Sequence, residues 1–274
     1  MTTSVPILEY HDLADRVDHT TTFHSPYILS KSNFYEQMSW LSRNRYTTLT
    51  IDDLFNGQIP AKSVVLTFDD GHISNYELAF PILEEFEFIA TFFVASRFIG
   101  ATDYLASEQI AEMCKHGMKF ESHSMTHPYM LSLSRKDITR EICQSREEIQ
   151  SIAKSKVNHF SVPYGFYNAY LAWCVKKAGY QSIVTEDFGY YEYRDSVFQI
   201  LPRFTVKPQI RLSKFANIAA KRRVTLMSDY LTALSLQYIK WLLGYRRYIH
   251  FKSLILKAEP PRFVRHTDEN PACH

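Results

Sequence analysis

The sequence predicts an α/β fold of parallel strands with helices packed outside them. Three observations lead there. Strand-like and helix-like runs alternate along the 274 residues, the pattern of repeated β–α units. An apolar content of 46% is enough for a substantial core, in one large domain or two small ones. Polar clusters end several different strands, which is where α/β folds carry chemistry, whether the sheet is open and doubly wound or closed as a barrel.

Taken in order, "VPILEY" is a strand candidate. "SKSNFYEQMSWLSRNRY" follows as a helix, with Phe34, Met38 and Leu41 at helical spacing and Ser32 or Asn33 as its cap. "SVVLTF" is a continuous buried strand. "LAFPILEEF" reads as a helix with Pro81 near its start or at a bend, and "IATFFVA" as another buried strand. "SEQIAEMCKHG" is a short helix stopped by Gly117, and "MKFESH" is the next strand. "SRKDITREICQSREEIQSIAKS" is a longer helix with Ile138, Ile142, Ile149 and Ile152 on one face. "VNHFSVPYG" is a strand running into a turn, "NAYLAWCVKKAGY" a helix, "QSIVTE" a strand and "FQILPRFTV" the last strand.

Cys114, Cys143, Cys174 and Cys273 lie far apart without a C-x-x-C pair, and read as reduced thiols. The start, "MTTSVPILEYHDL", has neither the basic segment nor the apolar run of a signal peptide. No stretch has the 18 or so uninterrupted apolar residues of a spanning helix. Net charge is +2, but residues 211–274 hold 12 Lys and Arg against 4 Asp and Glu, leaving 19 against 25 in residues 1–210. A basic tail on an acidic body suggests an anionic contact for the tail.

The polar clusters are "EYH" at the end of the first strand, "FDDG" at the second, "ESHSMTH" at the fourth and "PYG" at the next. Four such ends can converge on one mouth. His123 and His127 at i, i+4 fall on one side of a helical turn or tight loop, where they can ligate one ion; alone they are equally compatible with capping or surface histidines. Asp69 and Asp70 alone read as a turn after a strand. Together, two imidazoles and one carboxylate make a three-ligand set with open positions, a catalytic zinc pattern. The second aspartate then stays free to accept a proton from water. A dication against the pair also explains how two adjacent carboxylates are tolerated at the end of a buried strand.

At this point the chain resembles the polysaccharide deacetylases, the NodB-homology carbohydrate esterases. The resemblance runs over residues 5–207, through "VPILEYHDL", "VVLTFDDGHISNYELAFPILEEFEFIATFFV", "ESHSMTHPYMLSLS", "HFSVPYGFYN" and "ILPRFTV". It implies a distorted (β/α) barrel and metal-dependent removal of N-acetyl groups from amino sugars. Carried over residue by residue, it makes Asp69 the general base and Asp70, His123 and His127 the ligands of a divalent metal, expected to be zinc. Many members have an R-x-P-Y stretch whose arginine supports the base and whose tyrosine N–H faces the oxyanion. Here Ser161 stands at the arginine position; Tyr164 keeps the N–H, and Arg203 is the expected substitute for the arginine. The late general-acid histidine is missing after "LPRF". "EYH" resembles the permuted subgroup of biofilm poly-N-acetylglucosamine deacetylases, where the first strand carries the acid, which points to His11.

Among the other histidines, His72 is a candidate for the pocket wall, while His19, His24, His116, His159, His250, His266 and His274 read as surface residues. The tyrosines of "FGYYEYRD" can stack on sugar rings or pack within the fold. The expected division is a deacetylase domain over 1–210 and a basic helical extension over 211–274. Within the extension, residues 211–258 read as two helices, with Leu231, Leu234, Tyr238, Trp241, Leu242 and Tyr245 near one face. Either the pair packs on the barrel or it contacts an anionic membrane surface. The expected partner is an N-acetylated amino-sugar substrate and not nucleic acid, and the expected location is cytoplasmic, with peripheral contact at the inner membrane. The alternatives are a deacetylase or deformylase of a lipid-linked sugar, and a catalytically silent glycan-binding barrel.

Overall fold

A computed structural model describes residues 4–15, 27–57, 59–194, 196–232 and 234–235. The chain runs β1 (Ser4–Val5), β2 (Ile7–Tyr10), β3 (Leu13–Ala14), β4 (Leu29–Ser30), α1 (Lys31–Arg43), β5 (Thr47–Leu49), α2 (Ile51–Phe55) and β6 (Ser63–Phe68). It continues through α3 (Phe80–Glu85), β7 (Thr91–Val94), α4 (Ser107–Lys115), β8 (Lys119–Ser122), α5 (Arg135–Ala153), β9 (His159–Ser161) and α6 (Ala169–Lys177). The final elements are β10 (Ser182–Val184), β11 (Tyr191–Glu192), β12 (Gln199–Leu201), β13 (Phe204–Thr205) and α7 (Leu212–Ala219).

The main sheet has the order β12-β10-β9-β8-β7-β6-β2-β13, with β5 added beside β6. Every pairing in it is parallel. Strand β6 is shared on one edge: Ser63–Val65 pair with β5, and Thr67–Phe68 with β7. The two edge strands, β12 and β13, are consecutive in the chain and joined by Pro202 and Arg203. The sheet therefore curls back on itself, and closure at the seam comes from the covalent chain. The sequence reading took "FQILPRFTV" as one strand. It is two, because Pro202 has no N–H to give a ladder, and the halves pair with β10 and β2 respectively.

Strand periodicity of two sorts the side chains. Leu8, Tyr10, Leu66, Phe68, Phe92, Phe120, Phe160, Ile183 and Phe204 face the surrounding helices. Val5, Ile7, Val65, Phe93, Val184 and Leu201 fill the inside, together with Leu49, Ile51 and Leu54. Helix α2 closes the end at the strand starts: Asp52 accepts from Asn158 Nδ2 at 3.0 Å and lies 3.0 Å from His159 Nε2 at the start of β9. His159, expected at the surface, is fully buried there. At the same end, Glu121 accepts from the backbone N–H groups of Asn158 and His159.

The outer helices follow their apolar spacing. Phe34, Met38 and Leu41 of α1 are buried, each contributing roughly 1.5–3 kcal/mol. Its cap is Ser30, whose hydroxyl accepts from the Asn33 N–H; the expected caps, Ser32 and Asn33, lie inside the first turn. The stretch 78–86 joins the end of a π-helical turn, Asn75–Ala79, to α3 without a break, and Pro81 is the second residue of α3. Tyr190 and Tyr191 pack within the fold, their hydroxyls donating to the carbonyls of Ile218 and Leu54. Cys143 is disulfide-bonded while Cys114 and Cys174 are free thiols, which corrects the reading of all cysteines as reduced.

After the barrel, Phe215 and Ile218 of α7 are buried in the outer core, and Phe215 meets Trp40 of α1 edge to face at 6.1 Å. Residues 227–232 and 234–235 are helical. Tyr238, Trp241, Leu242, Tyr245 and the rest of the second expected helix lie outside the described residues, as do His19, His24, His250, His266 and His274. Among the described residues, no helix is long and apolar enough to cross a membrane.

Candidate active site

The carboxyl ends of β2, β6, β8 and β9 and the β12–β13 seam meet at one mouth. Asp69 follows β6 and is held to β2 by its N–H, which donates to the Tyr10 carbonyl at 3.0 Å. Asp70 then turns into the left-handed region (φ 73°), followed by Gly71 (φ 79°). A Cβ at Gly71 would stand 2.8 Å from Val94 Cγ1, so only glycine fits. Ser124 (φ 67°), His127 (φ 52°) and Tyr164 (φ 63°) share this conformation. It costs a non-glycine residue on the order of 1 kcal/mol or more, so four such residues at the mouth hold strained backbone.

The His123–His127 segment is a tight loop and not a helical turn. Glu141, buried on the inner face of α5, fixes it by accepting from the N–H groups of Met125 and Thr126 and from the Thr126 hydroxyl. His127 N–H donates to Ser124 Oγ at 3.0 Å. The loop brings the Nε2 atoms of His123 and His127 to 3.3 and 3.2 Å from Asp70 Oδ1. His123 Nδ1 donates to the Ser161 carbonyl at 2.9 Å, which leaves the Nε2 lone pair facing the carboxylate. Asp70 Oδ1 is buried and accepts no hydrogen bond. Lone pairs converging on a buried, unpartnered oxygen repel unless a cation stands among them, so this donor set fits a divalent metal.

Asp69 meets a different environment. Arg203 donates to it twice, Nη1 to Oδ1 and Nη2 to Oδ2, both at 2.7 Å. Ser161 Oγ accepts from Nη2 at 3.0 Å and donates to Asp69 Oδ2 at 3.0 Å. Arg203 is fully buried, and its remaining donors reach the Thr185 carbonyl and Thr67 Oγ1. Burial opposes ionisation of Asp69, but the charges of Arg203 and His123 outweigh it and hold the carboxyl down at about 2. Thus the serine at the usual arginine position and the arginine from the seam meet on one carboxylate.

His11 follows β2, with its Nε2 3.6 Å from Oε1 of Glu9 and its ring stacked on Tyr27 at 4.5 Å. Ligand-type atoms of Glu9, His11 and Asp69 lie within 4.8 Å of one another. Tyr164, in the turn Pro163–Gly165, packs its ring 4.8 Å from both His127 and Tyr129. His72 Nδ1 lies 2.9 Å from Ser74 Oγ and 3.9 Å from Asp12 Oδ1. Glu9 belongs to the "EYH" cluster seen in the sequence; Glu141 was not singled out there, although it falls on the apolar face of α5, a place where an acid needs a partner.

A sequence profile described as polysaccharide deacetylase matches residues 56–183. YxkH of Bacillus subtilis, a protein named as a polysaccharide deacetylase, is 32% identical over 216 residues, 77% of this chain and 74% of its own. The poly-beta-1,6-N-acetyl-D-glucosamine N-deacetylase of Staphylococcus aureus is 28% identical over 173 residues, 56% of this chain and 59% of its own. Among solved structures, the Streptococcus pyogenes deacetylase PplD in complex with acetate superposes with a TM-score of 0.74 at 25% identity, over 80% of this chain and 99% of that one. IcaB from Ammonifex degensii shares the fold, with a TM-score of 0.67 at 23% identity over 80% of this chain and 96% of its own. With its curled parallel sheet and this mouth, the chain belongs to the polysaccharide deacetylase family, hydrolases of amide bonds.

Proposed function

We propose that this protein removes N-acetyl groups from an amino-sugar glycan by metal-dependent hydrolysis. The observation that carries the reading is Asp70 Oδ1, buried without a hydrogen bond between two imidazole nitrogens, beside a second aspartate held ionised by an arginine. Asp70, His123 and His127 would hold the divalent cation, and one carboxylate with two imidazoles suits zinc. When bound, such an ion polarises the amide carbonyl and makes water more acidic.

The chain's own residues do the rest. Asp69 takes the proton from the attacking water, its orientation fixed by Arg203 and Ser161. The Tyr164 backbone N–H donates to the carbonyl oxygen as negative charge develops there. His11 gives a proton to the nitrogen as the C–N bond breaks, because an amine anion is a very poor leaving group. Aromatic rings of Tyr27 and Tyr164 beside these groups suit the apolar face of a sugar.

Mass spectrometry of products from a panel of N-acetylated glucosamine oligomers tests the reaction. The expected result is stepwise loss of an acetyl mass with release of acetate; no loss from any acetylated sugar by metal-loaded protein would leave a silent barrel. Asp69→Asn should keep its metal while kcat falls by roughly 10²–10⁴, the usual worth of a positioned acid or base. Asp70→Asn and His123→Ala should lose the metal itself, measured by elemental analysis.

A lipid-linked amino sugar is a second reading, favoured by the chain after the barrel. Val224, Met227 and Leu231 are 85%, 53% and 58% exposed, following Lys221, Arg222 and Arg223. Apolar groups beside basic ones suit the surface of an anionic membrane. In this reading residues 1–210 are the catalytic domain and the basic extension brings it to its substrate.

A further inference from the structure

The turn Pro163–Gly165 that carries Tyr164 leads straight into α6, whose cap Asn168 accepts from the Leu171 N–H at 2.8 Å. Helix α6 therefore starts beside the mouth and runs away from it. Leu171, Cys174 and Val175 are its buried side. Tyr170, Trp173 and Lys177, at i, i+3 and i+7, make a stripe on another side. Trp173 in this stripe is 54% exposed. Its ring and that of Tyr170 are nearly parallel, with an interplanar angle of 24° and centroids 6.0 Å apart. A cation stands against each ring: the Arg135 guanidinium, from the first residue of α5, lies 5.0 Å from Tyr170, and Lys177 Nζ lies 5.9 Å from Trp173. These contacts steady the pair and set N–H donors beside flat aromatic surface.

A single exposed aromatic residue needs no explanation, but this one continues a wall of the mouth. Tyr164 stacks on Tyr129 at 4.8 Å, and Tyr129 meets Phe166 at 5.6 Å. Phe166 lies two residues before the cap of α6, and Trp173 lies roughly one turn into that helix. Aromatic side chains thus recur at 164, 166, 167, 170 and 173, leading outward from the metal-type ligands to the exposed pair. A polymer held at the mouth has to leave over one of its edges, and this edge carries the surface that suits it. A pyranose has an apolar face of C–H groups and a rim of hydroxyls. The face fits the rings, and the hydroxyl and acetamide oxygens accept from the guanidinium and ammonium beside them.

We propose that Tyr170 and Trp173, with Arg135 and Lys177, form a second glycan-binding surface that holds the chain of a polymeric N-acetylated substrate while one of its sugars reacts in the mouth, an inference that rests on the deacetylase reading above. The second contact raises the effective concentration of the polymer at the mouth and leaves the chemistry untouched. It makes the preferred substrate a long chain, whereas a single amino sugar gains nothing from it.

The test compares zinc-loaded wild type and Trp173→Ala on an N-acetylglucosamine disaccharide and on a long N-acetylglucosamine polymer. In Trp173→Ala, KM for the polymer should rise about tenfold, the usual order for one anchoring aromatic residue. Its kcat should stay the same, because only binding remote from the reacting bond is lost. The disaccharide, too short to reach α6, should react equally with both proteins, and Trp173→Phe should recover most of the affinity for polymer. Equal polymer KM in wild type and Trp173→Ala overturns the proposal. So does an equal rise for the disaccharide, which would place the effect in the mouth. Wild type that binds the polymer no better than the disaccharide overturns it without any variant. Hydrolysis of neither substrate would instead remove the deacetylase reading. Retention on immobilised polymer then decides the surface: loss of retention in Trp173→Ala supports it, and equal retention overturns it.

Discussion

Arg203 is a large cation with no access to water, so every N–H it carries must be met by protein. Asp69, Ser161, Thr67 and the Thr185 carbonyl meet them, and the ring of Phe93 lies 5.7 Å from the guanidinium. Arg203→Met keeps much of the volume but leaves Asp69 and Glu9 as buried acids without their cation. The expected cost is about 3–5 kcal/mol, read as a lower urea midpoint at unchanged slope; a midpoint equal to wild type would show that the seam does not depend on this network. How far such residues were legible in the sequence follows from spacing. Asp69, Asp70, His123 and His127 announce themselves because their residue types recur at short, chemically meaningful intervals. Arg203 was reached only indirectly, as the expected substitute, in "LPRF", for the arginine missing at Ser161. Glu141 shares the apolar face of α5 with Ile138, Ile142 and Ile149, but its position does not say which backbone groups the acid would hold.

At the scale of elements, the helices were readable because their apolar periodicity is long, as in α5 with Ile138, Ile142 and Ile149 buried. The three-residue strand β5 and the five-residue helix α2 are too short to show a period, and the break at Pro202 depends on partners far away in sequence. What pins α2 across the strand starts is the contact of Asp52 with His159 and Asn158, and this contact makes stability depend on pH. Burial holds His159 below the ordinary imidazole range, against the pull of Asp52. The unfolded chain therefore binds the extra proton as pH falls below about 6.5, and stability falls with it until the folded pKa is reached. Asp52 has the same sign: burial opposes its charge, but His159 and Asn158 hold its carboxyl low, so its contribution is lost as pH falls through that lowered value. In His159→Gln the first of these losses disappears. Between about pH 7 and 5 its melting temperature should fall less steeply than that of the wild type, although it starts lower; parallel curves would show that His159 does not titrate on unfolding.

For the molecule as a whole, charge is divided between a body with 19 basic and 25 acidic residues and a tail with 12 and 4. Each Lys or Arg near an anionic surface contributes on the order of 1 kcal/mol, and salt screens it beyond about 10 Å at 0.1 M. Full-length protein should therefore sediment with anionic vesicles at low salt, less with neutral ones, and less again as salt rises. Indifference to vesicle charge would leave the exposed residues after α7 without a lipid partner. The sheet order has a further consequence, for synthesis. Because β13 pairs with β2, the last strand of the barrel returns to the first, and Arg203 arrives at the seam after every other element of the sheet. A chain emerging from the ribosome presents Asp70, His123 and His127 long before it presents the guanidinium that orients Asp69. An unfinished chain can thus gather its ligand-type side chains while Asp69 still lacks its guanidinium partner, which arrives only as the sheet closes.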